Sequence, residues 1–325
     1  MDLSIVTTLY RSAAYLPEFH RRVAAAAERL GGTFEIVLVN DGSPDESQAV
    51  AEAIAAGDAR VKVVELARNF GHHKAIMTGL AEARGRRVFL IDCDLEEAPE
   101  WLADFDRLMQ EQRVDVVYGV QTRRKGDRWE RWTGGLFYHL VRLLSDYPVP
   151  RDVVTARLMT RDYVRALIAH REREIFLGGL WAITGFRQAA VPVTKKSKGT
   201  TSYDLRRKLA IMVNAITSFS AVPLWVVFWL GCLILVLTTV ATAGVVAHRL
   251  LGGTLSGWSS LIISVWLLGG LCLFALGING IYLAKIFSEV KQRPYTLVRS
   301  VTPPAKPASL LQPISGDPTD DRRVA

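Results

Sequence analysis

The chain has 325 residues and a formal net charge of +8, from 40 Lys and Arg against 32 Asp and Glu. Its three cysteines are too few for the disulfide framework of a secreted domain and indicate a reducing compartment. A basic chain can bind nucleic acid, but two long uncharged segments make an anionic lipid surface the nearer partner, so we expect no nucleic-acid partner. Nothing at the N-terminus has the charged, apolar and cleavage regions of a signal peptide.

Residues 3–120 alternate short apolar segments with helical patterns. The apolar segments are β-branched and nearly continuous, as in strands that are buried on both faces. This alternation predicts an α/β fold with a mostly parallel sheet and right-handed crossovers. The predicted strands are 3–8, 34–40, 61–66, 87–91 and 114–120, and the predicted helices are 16–30, 44–56, 72–84 and 99–112.

Polar residues follow the second predicted strand, at the edge where such sheets bind their ligands. Ser43 and Glu46 have the spacing of a capping box, and Pro44 suits a first helical turn, so Ser43 is expected to cap the second helix. Asp41 has no capping role of this kind. Its carboxylate is a candidate to bind a ribose hydroxyl or a base N–H.

Four acids follow the fourth predicted strand. In an extended segment, residues two apart point the same way, so Asp92, Asp94 and Glu96 are expected to share one side. Three oxygen ligands suit a hard cation such as Mg²⁺ or Mn²⁺ that bridges phosphate oxygens. The alternative is a set of acids that favour the positive end of the next helix, but four acids are more than a helix end requires.

The C-terminal third contains two uncharged segments, 221–247 and 252–284. Each exceeds the roughly 20 apolar residues that span a bilayer, which predicts a transmembrane hairpin rather than two buried helices of a soluble core. The connector holds only Arg249 and His248, whereas basic residues flank the pair, so both termini are expected in the cytoplasm. The flanking basic residues are Arg206, Arg207 and Lys208 before the pair and Lys285, Lys291 and Arg293 after it.

Two segments before the hairpin, 129–144 and 205–219, place apolar residues at helical spacing among basic ones. They predict helices that lie at the membrane interface or pack against the α/β part, and the pattern does not choose between these alternatives. The tail after Val301 is rich in Pro, Ser and Asp and is expected to be disordered.

Several motifs, in order, resemble the family 2 glycosyltransferases of the polyprenyl-phosphate type over roughly residues 3–300. The main ones are Val39-Asn40-Asp41-Gly42-Ser43, Arg68-Asn69-Phe70-Gly71-His72 and Asp92-Cys93-Asp94-Leu95. Further matches are Arg157-Leu158-Met159, Gly185-Phe186-Arg187-Gln188 and Arg293-Pro294. The resemblance implies a GT-A fold, a nucleotide-sugar donor, a divalent metal (Mg²⁺ or Mn²⁺), a polyprenyl phosphate acceptor and, as in some bacterial members, a homo-tetramer.

The resemblance also implies roles for individual residues. Asp92, Asp94, Arg131 and Lys196 are the expected catalytic residues. Arg131 falls where a basic residue approaches the lipid phosphate, and Lys196 falls where the family often has Arg. The expected nucleotide-sugar contacts are Thr8, Tyr10, Asp41 and Asp92, and the expected metal ligands are Asp92, Asp94 and Glu96.

Three positions depart from the family pattern. The first strand leads into Thr8-Leu9-Tyr10-Arg11-Ser12 instead of Pro-x-Tyr-Asn-Glu, which leaves the nucleotide open. Thr155 stands where an Asp is often found, which removes a candidate base, and Glu96 replaces a Gln. A phosphate monoester is largely anionic at neutral pH, so an acceptor of this kind needs alignment more than deprotonation.

These observations predict four regions: a nucleotide-sugar-binding core at 1–120, an acceptor region at 121–220, two transmembrane helices at 221–287 and a cytoplasmic tail at 288–325. The predicted function is inverting sugar transfer to polyprenyl (undecaprenyl) phosphate at the cytoplasmic face of the inner membrane. One alternative is a processive polysaccharide synthase, although the Gln-x-x-Arg-Trp motif of that group is absent. Another is a non-catalytic membrane scaffold with a transferase-like domain.

Overall fold

A computed structural model of the protein describes residues 1–121, 153–173, 175–195, 222–250 and 257–302. Their strands form one eight-stranded mixed sheet in the order β7-β5-β6-β4-β1-β2-β3-β8. The strands are β1 Leu3–Leu9, β2 Phe34–Asn40, β3 Val61–Leu66, β4 Arg87–Leu90, β5 Val116–Gln121, β6 Val153–Thr160, β7 Gln188–Val193 and β8 Val298–Thr302. The predicted α/β class is therefore confirmed.

The first four strands are parallel to one another, because helices on the faces of the sheet connect them. These helices are α1 Leu16–Leu30, α2 Ser47–Gly57 and α3 His72–Glu82, followed after β4 by α4 Trp101–Gln112. The second helix begins three residues later than predicted. Ser43 does not cap it, because the Ser43 hydroxyl donates to Asp45 and accepts the Arg11 N–H, which holds residues 43–46 in a turn.

The sheet continues past the boundary predicted at residue 120. β6 lies between β4 and β5 and is antiparallel to both, while β7 is parallel to β5. Two further helices, α5 Arg161–Ala169 and α6 Leu177–Ile183, connect β6 to β7. Residues 153–193 thus add two strands and two helices to this sheet, and the acceptor role of 121–220 stays a prediction.

Apolar side chains cover both faces of the sheet. Along β1, Ile5 and Leu9 belong to one buried cluster with α1, α2 and α4, whereas Val6 belongs to a second with α3, α5 and α6. Neighbouring residues of a strand point to opposite faces, so a strand that is covered on both sides must be apolar throughout. The continuous apolar segments in the sequence have this cause.

Two long helices follow, α7 Val222–Leu250 and α8 Trp258–Val290. The stretches Val222–Ala241 and Leu268–Val290 are long and apolar enough to cross a membrane, by length and composition, and neither is buried inside the protein. Large apolar side chains on both helices are exposed, among them Trp229, Val240, Leu273 and Leu283.

After α8 the chain returns to the sheet. Residues 291–302, here called the C-terminal strap, run along the edge of β3 and end in β8, which is antiparallel to β3 with Val298 opposite Leu66. The Ala67 N–H donates to the Leu297 carbonyl over 2.8 Å, and the Thr296 and Thr78 hydroxyls lie 2.8 Å apart. The sequence did not predict this strand, which lies in the region assigned to a cytoplasmic tail; residues after 302 are outside the described part of the chain.

Candidate active site

Three neighbouring strands, in the order β4-β1-β2, end at the same edge of the sheet. Because the three are parallel, their carboxyl ends lie side by side. This edge brings together Thr8 in β1, Tyr10 directly after β1, Asp41 after β2 and Asp92 after β4. The ring of Tyr10 is about half exposed there, with 48% of the residue accessible. The four residues predicted to contact a nucleotide sugar therefore share one location.

Asp41 has a structural role that the sequence did not reveal. Its carboxylate is buried and accepts the backbone N–H groups of Phe70 over 2.7 Å and Gly71 over 3.0 Å. Burial raises the pKa of Asp41 above its ordinary value, although these two N–H groups oppose the shift. Asp41 thus holds loop 67–71 against the end of β2, and its predicted contact with a nucleotide stays a prediction.

Gly42 fixes the same loop sterically. Its backbone is left-handed, with φ of 57°, and a Cβ at this position would lie 2.4 Å from the Asn69 backbone nitrogen. Such a contact is impossible without displacing backbone. Close approach of the β2 turn to loop 67–71 therefore requires glycine here, and the loop is held from two sides.

His72 is the first residue of α3 and directly follows this loop. Its Nδ1 lies 3.0 Å from the Thr8 hydroxyl, and its Nε2 lies 3.6 Å from a carboxylate oxygen of Asp92. The imidazole thus bridges the ends of β1 and β4. The sequence indicated only that His72 begins a helix or lies in a donor loop, since a contact between distant segments has no local signal.

The acids after β4 lie on a turn, residues 92–97, here called the acid turn. β4 ends at Leu90, Leu95 is left-handed with φ of 64°, and the Asp94 carboxylate accepts the Glu96 N–H over 3.0 Å. The prediction that an extended strand aligns three acids was therefore wrong in its geometry. Within the described ranges, no group of three His, Cys, Asp or Glu side chains is arranged to hold a metal ion.

Two acids of the turn have the ligand chemistry that a divalent cation prefers. Asp92 and Asp94 supply hard carboxylate oxygens, and Mg²⁺ is commonly held by one or two carboxylates together with substrate phosphates and water. Glu96 has a different partner, since its carboxylate lies 3.2 Å from the Lys195 ammonium. The three residues remain the predicted metal ligands, with Asp92 and Asp94 as the better-fitting pair.

Glu97, the last residue of the acid turn, is fully buried. It accepts the Thr155 N–H over 3.0 Å and lies 3.7 Å from the Lys195 ammonium. Burial, followed by the nearby Asp92 carboxylate, raises the pKa of Glu97 to about 7. Burial alone would lower the pKa of Lys195, but the carboxylates of Glu97 and Asp92 raise it above its ordinary value. The sequence indicated the acids of the acid turn, but it did not indicate that Lys195, which follows β7, contacts them.

Position 155, where an acid was expected, therefore has a carboxylate beside it. The Thr155 backbone is bound to Glu97, and the neighbouring Arg157 is buried with its guanidinium donating to the carbonyls of Val154 and Thr155. Glu97 is inaccessible to solvent. Its carboxylate therefore stabilises the acid turn by binding the Thr155 N–H, and it does not take the place of the solvent-facing acid that was expected at position 155.

The predicted acceptor residues lie outside the described residues. Arg131 and Lys196 belong to the ranges 122–152 and 196–221, as do the segments 129–144 and 205–219 that were predicted as amphipathic helices. Lys195 is the last described residue before the second of these ranges, and it contacts the acid turn. The described structure thus contains the residues that were predicted to contact the donor.

Comparison with known proteins agrees with this geometry. The family model described as "Glycosyl transferase family 2" matches residues 4–168. A protein named "Putative glycosyltransferases" from Mycobacterium tuberculosis (strain CDC 1551 / Oshkosh) is 46% identical over 302 residues, which are 93% of this chain and 88% of that protein.

Two further relatives are named for their lipid acceptors. The undecaprenyl-phosphate 4-deoxy-4-formamido-L-arabinose transferase of Pseudomonas aeruginosa (strain LESB58) is 31% identical over 95% of this chain and 93% of that protein. The prophage bactoprenol glucosyl transferase homolog of Escherichia coli (strain K12) is 28% identical over 93% of this chain and 99% of that protein. The resemblance found in the motifs is confirmed: the chain belongs to glycosyl transferase family 2 and is a glycosyltransferase.

Proposed function

We propose that the protein is a membrane-anchored, inverting glycosyltransferase. It moves a sugar from a nucleotide-sugar donor to polyprenyl phosphate, with undecaprenyl phosphate as the bacterial form. The reaction takes place at the cytoplasmic face of the inner membrane, and the protein crosses that membrane twice. Homo-oligomers, tetramers by family resemblance, are part of the same proposal.

One observation supports this proposal above the others: the chain that follows the second apolar helix joins the sheet at the carboxyl end of β3, the end of the parallel strands at which the candidate site lies. The C-terminal strap leaves α8 and reaches the sheet opposite Leu66, at the carboxyl end of β3. Near the end of α8, the Glu289 carboxylate accepts the Arg173 N–H over 2.7 Å. The edge with Asp41 and Asp92 is therefore on the side of the sheet at which the chain arrives from α8. A lipid phosphate at the membrane surface would meet a soluble donor at this edge.

The described residues supply the donor half of the chemistry. Asp92 and Asp94 would hold the divalent cation, which offsets the charge of the leaving nucleoside diphosphate when it is bound. Asp41 and Gly42 hold loop 67–71 in place. This side of the site is therefore already in position before the donor binds. Tyr10, exposed at the end of β1, is available to contact the nucleotide.

The acceptor half needs no strong base. The second pKa of a phosphate monoester is about 6, so at neutral pH its oxygen is a ready nucleophile. A hydroxyl at Thr155 in place of a carboxylate is compatible with such an acceptor, because alignment is then the main requirement. One direct displacement by the phosphate oxygen inverts the configuration at the sugar carbon.

The most direct test uses the purified full chain in detergent. It is incubated with Mg²⁺ or Mn²⁺, undecaprenyl phosphate and, one at a time, a panel of radiolabelled nucleotide sugars, and the lipid is then extracted. Label in a single-sugar lipid is the expected result and identifies the donor. A water-soluble polymer would indicate a processive synthase instead, and no product with any donor would contradict the proposal.

The membrane topology gives a separate prediction. The connector around Gly252 is expected on the non-cytoplasmic side, because basic residues flank the two spans but are sparse between them. A cysteine that replaces Thr254 should react with an impermeant thiol reagent in intact cells, whereas one that replaces Ala56, which is exposed on α2, should react only after lysis. The reverse pattern would overturn the topology.

Arg131 and Lys196 are predicted to hold the acceptor phosphate. Fixed cations there would offset repulsion between the anionic acceptor and the donor diphosphate, with Arg binding two oxygens and Lys acting as a point charge. Replacing either by Ala should raise the KM for the lipid acceptor by about 10-fold or more while nucleotide affinity changes little. Kinetics for both substrates, measured in detergent, provide the comparison.

The alternative role of these residues is attraction to bulk anionic lipid. Bulk lipid is absent in detergent, so normal transfer by both variants under these conditions would contradict the phosphate-binding assignment. Arg299→Ala is a suitable control, because Arg299 is an exposed cation on β8, the last strand of the sheet beyond β3, and is paired with Glu65.

A further inference from the structure

His72 connects the loop that Asp41 holds to the acid turn. The backbone immediately before it is fixed, because the N–H groups of Phe70 and Gly71 both donate to Asp41. The backbone of His72 is therefore restrained at the start of α3, and this limits where its imidazole can lie. From there it reaches Thr8 on one side and Asp92 on the other.

The neighbours of His72 determine how its ring is protonated when it is neutral. A carboxylate can only accept, so the nitrogen that faces Asp92 at 3.6 Å, Nε2, carries the hydrogen. Nδ1 is then an acceptor, and the Thr8 hydroxyl donates to it over 3.0 Å. Thr8 thus orients the ring, and the ring directs an N–H at Asp92.

The 3.6 Å separation is longer than a hydrogen bond but close enough for the N–H to favour one orientation of the carboxylate. Asp92 is only 22% exposed on its side chain, so few waters compete for it. Asp92 also interacts through its charge with Glu97 and Lys195, and its backbone N–H lies 3.5 Å from Glu97. His72 Nε2 is the ring nitrogen placed 3.6 Å from the Asp92 Oδ1. A directed side-chain donor therefore has a clear effect on where the Asp92 oxygens point.

We propose that His72 is a positioning residue that, oriented by Thr8, holds the Asp92 carboxylate in the orientation required at the donor diphosphate. This inference rests on the proposed function, and it adds a residue to which no role was assigned. Groups that orient a metal-binding carboxylate commonly change metal affinity or activity by 10–100-fold when they are removed. The expected effect lies in this range.

The test compares three variants of the full chain: His72→Leu, His72→Gln and Thr8→Val. With the donor that the wild type uses, His72→Leu should raise the metal concentration for half-maximal activity by about 10-fold or more and leave the acceptor KM unchanged. His72→Gln keeps an N–H donor of similar reach and should recover most of the loss. Thr8→Val removes only the hydroxyl, and its effect should not add to that of His72→Leu, because both act through one ring.

A readout without turnover accompanies these kinetics. Thermal stabilisation of each variant by UDP, GDP, CDP, ADP and dTDP, each with Mn²⁺, reports binding of the diphosphate alone. The wild type should be stabilised by at least one of them, and His72→Leu should need a higher Mn²⁺ concentration for the same shift. His20→Leu is the matched control, because His20 also contacts a carboxylate, Asp58 at 3.0 Å, but lies outside the candidate site.

The outcomes separate this inference from the proposed function. If the wild type transfers no sugar, the proposed function fails whatever the variants do. If the wild type is active and His72→Leu has an unchanged metal requirement, the positioning role is wrong. If His72→Leu and His72→Gln lose activity equally while Thr8→Val is unaffected, His72 does not act by orienting Asp92, and the inference is also overturned.

Discussion

Replacing Asp94 by Asn is expected to abolish sugar transfer and leave the fold intact. The Asn side chain keeps an Oδ1 that can accept the Glu96 N–H, so the acid turn should persist. What is lost is one negative charge and a hard oxygen ligand at the place where a cation must offset the diphosphate. Losses on the order of 100-fold or more are typical when one preorganised group of this kind is removed. Transfer to undecaprenyl phosphate, measured across a range of Mg²⁺ and Mn²⁺ concentrations, gives the result.

The control for this experiment is Asp104→Asn. Asp104 is an exposed acid on α4 whose partner is Arg107, and surface pairs of this type contribute little. Its activity and melting temperature should match the wild type. Near-normal transfer by Asp94→Asn at saturating metal would show that Asp94 is not a metal ligand.

Gly42→Ala is expected to have the second large effect, on both stability and donor affinity. The left-handed backbone at this residue costs an alanine roughly 1–2 kcal/mol. In addition, the new Cβ would meet the Asn69 nitrogen at 2.4 Å and the Arg68 carbonyl carbon at 2.5 Å, and both of these atoms are backbone. Loop 67–71 must therefore move, and the two N–H groups that Asp41 accepts move with it. We expect the donor KM to rise by about 10-fold or more, because a displaced loop 67–71 no longer places its contacts where the donor needs them.

Gly57→Ala separates this steric effect from a general glycine effect. Gly57 is the last residue of α2, and a Cβ there meets nothing within 4 Å. Alanine in a helix is favoured over glycine by roughly 0.5–1 kcal/mol, so this variant should be at least as stable as the wild type. Chemical unfolding and donor kinetics of both variants make the comparison. Wild-type donor affinity in Gly42→Ala would mean that loop 67–71 can shift without consequence for the site.

Much of the fold could be predicted because buried parallel strands leave a strong local pattern. β2 and β3 begin and end at the predicted residues, and β1 ends one residue later than predicted. The family could be recognised for a related reason, since its motifs follow those strand ends. The coarse location of the site, at the carboxyl ends of β1, β2 and β4, follows from the same pattern.

The details of the site depended on contacts between distant segments, which a periodic pattern does not contain. The acid turn departs from an extended strand at Leu95, where a left-handed backbone ends the alternation that the prediction assumed. The partner of Glu97 is Lys195, which follows β7 almost 100 residues later in the sequence. The short strand β8 was missed because its alternation of Val, Arg, Ser and Thr is weak and it follows a segment that was predicted to be a tail.

The C-terminal strap also determines when, during synthesis of the chain, the last strand can pair with the sheet. Glu65 of β3 is paired with Ser300, 235 residues later in the chain, and both apolar helices lie between them. During synthesis on the ribosome, therefore, the backbone groups along one edge of β3 remain unpaired until the second of these helices has emerged. An open strand edge is a site of unwanted pairing with other chains. The addition of β8 to the sheet therefore cannot precede synthesis of the two apolar helices.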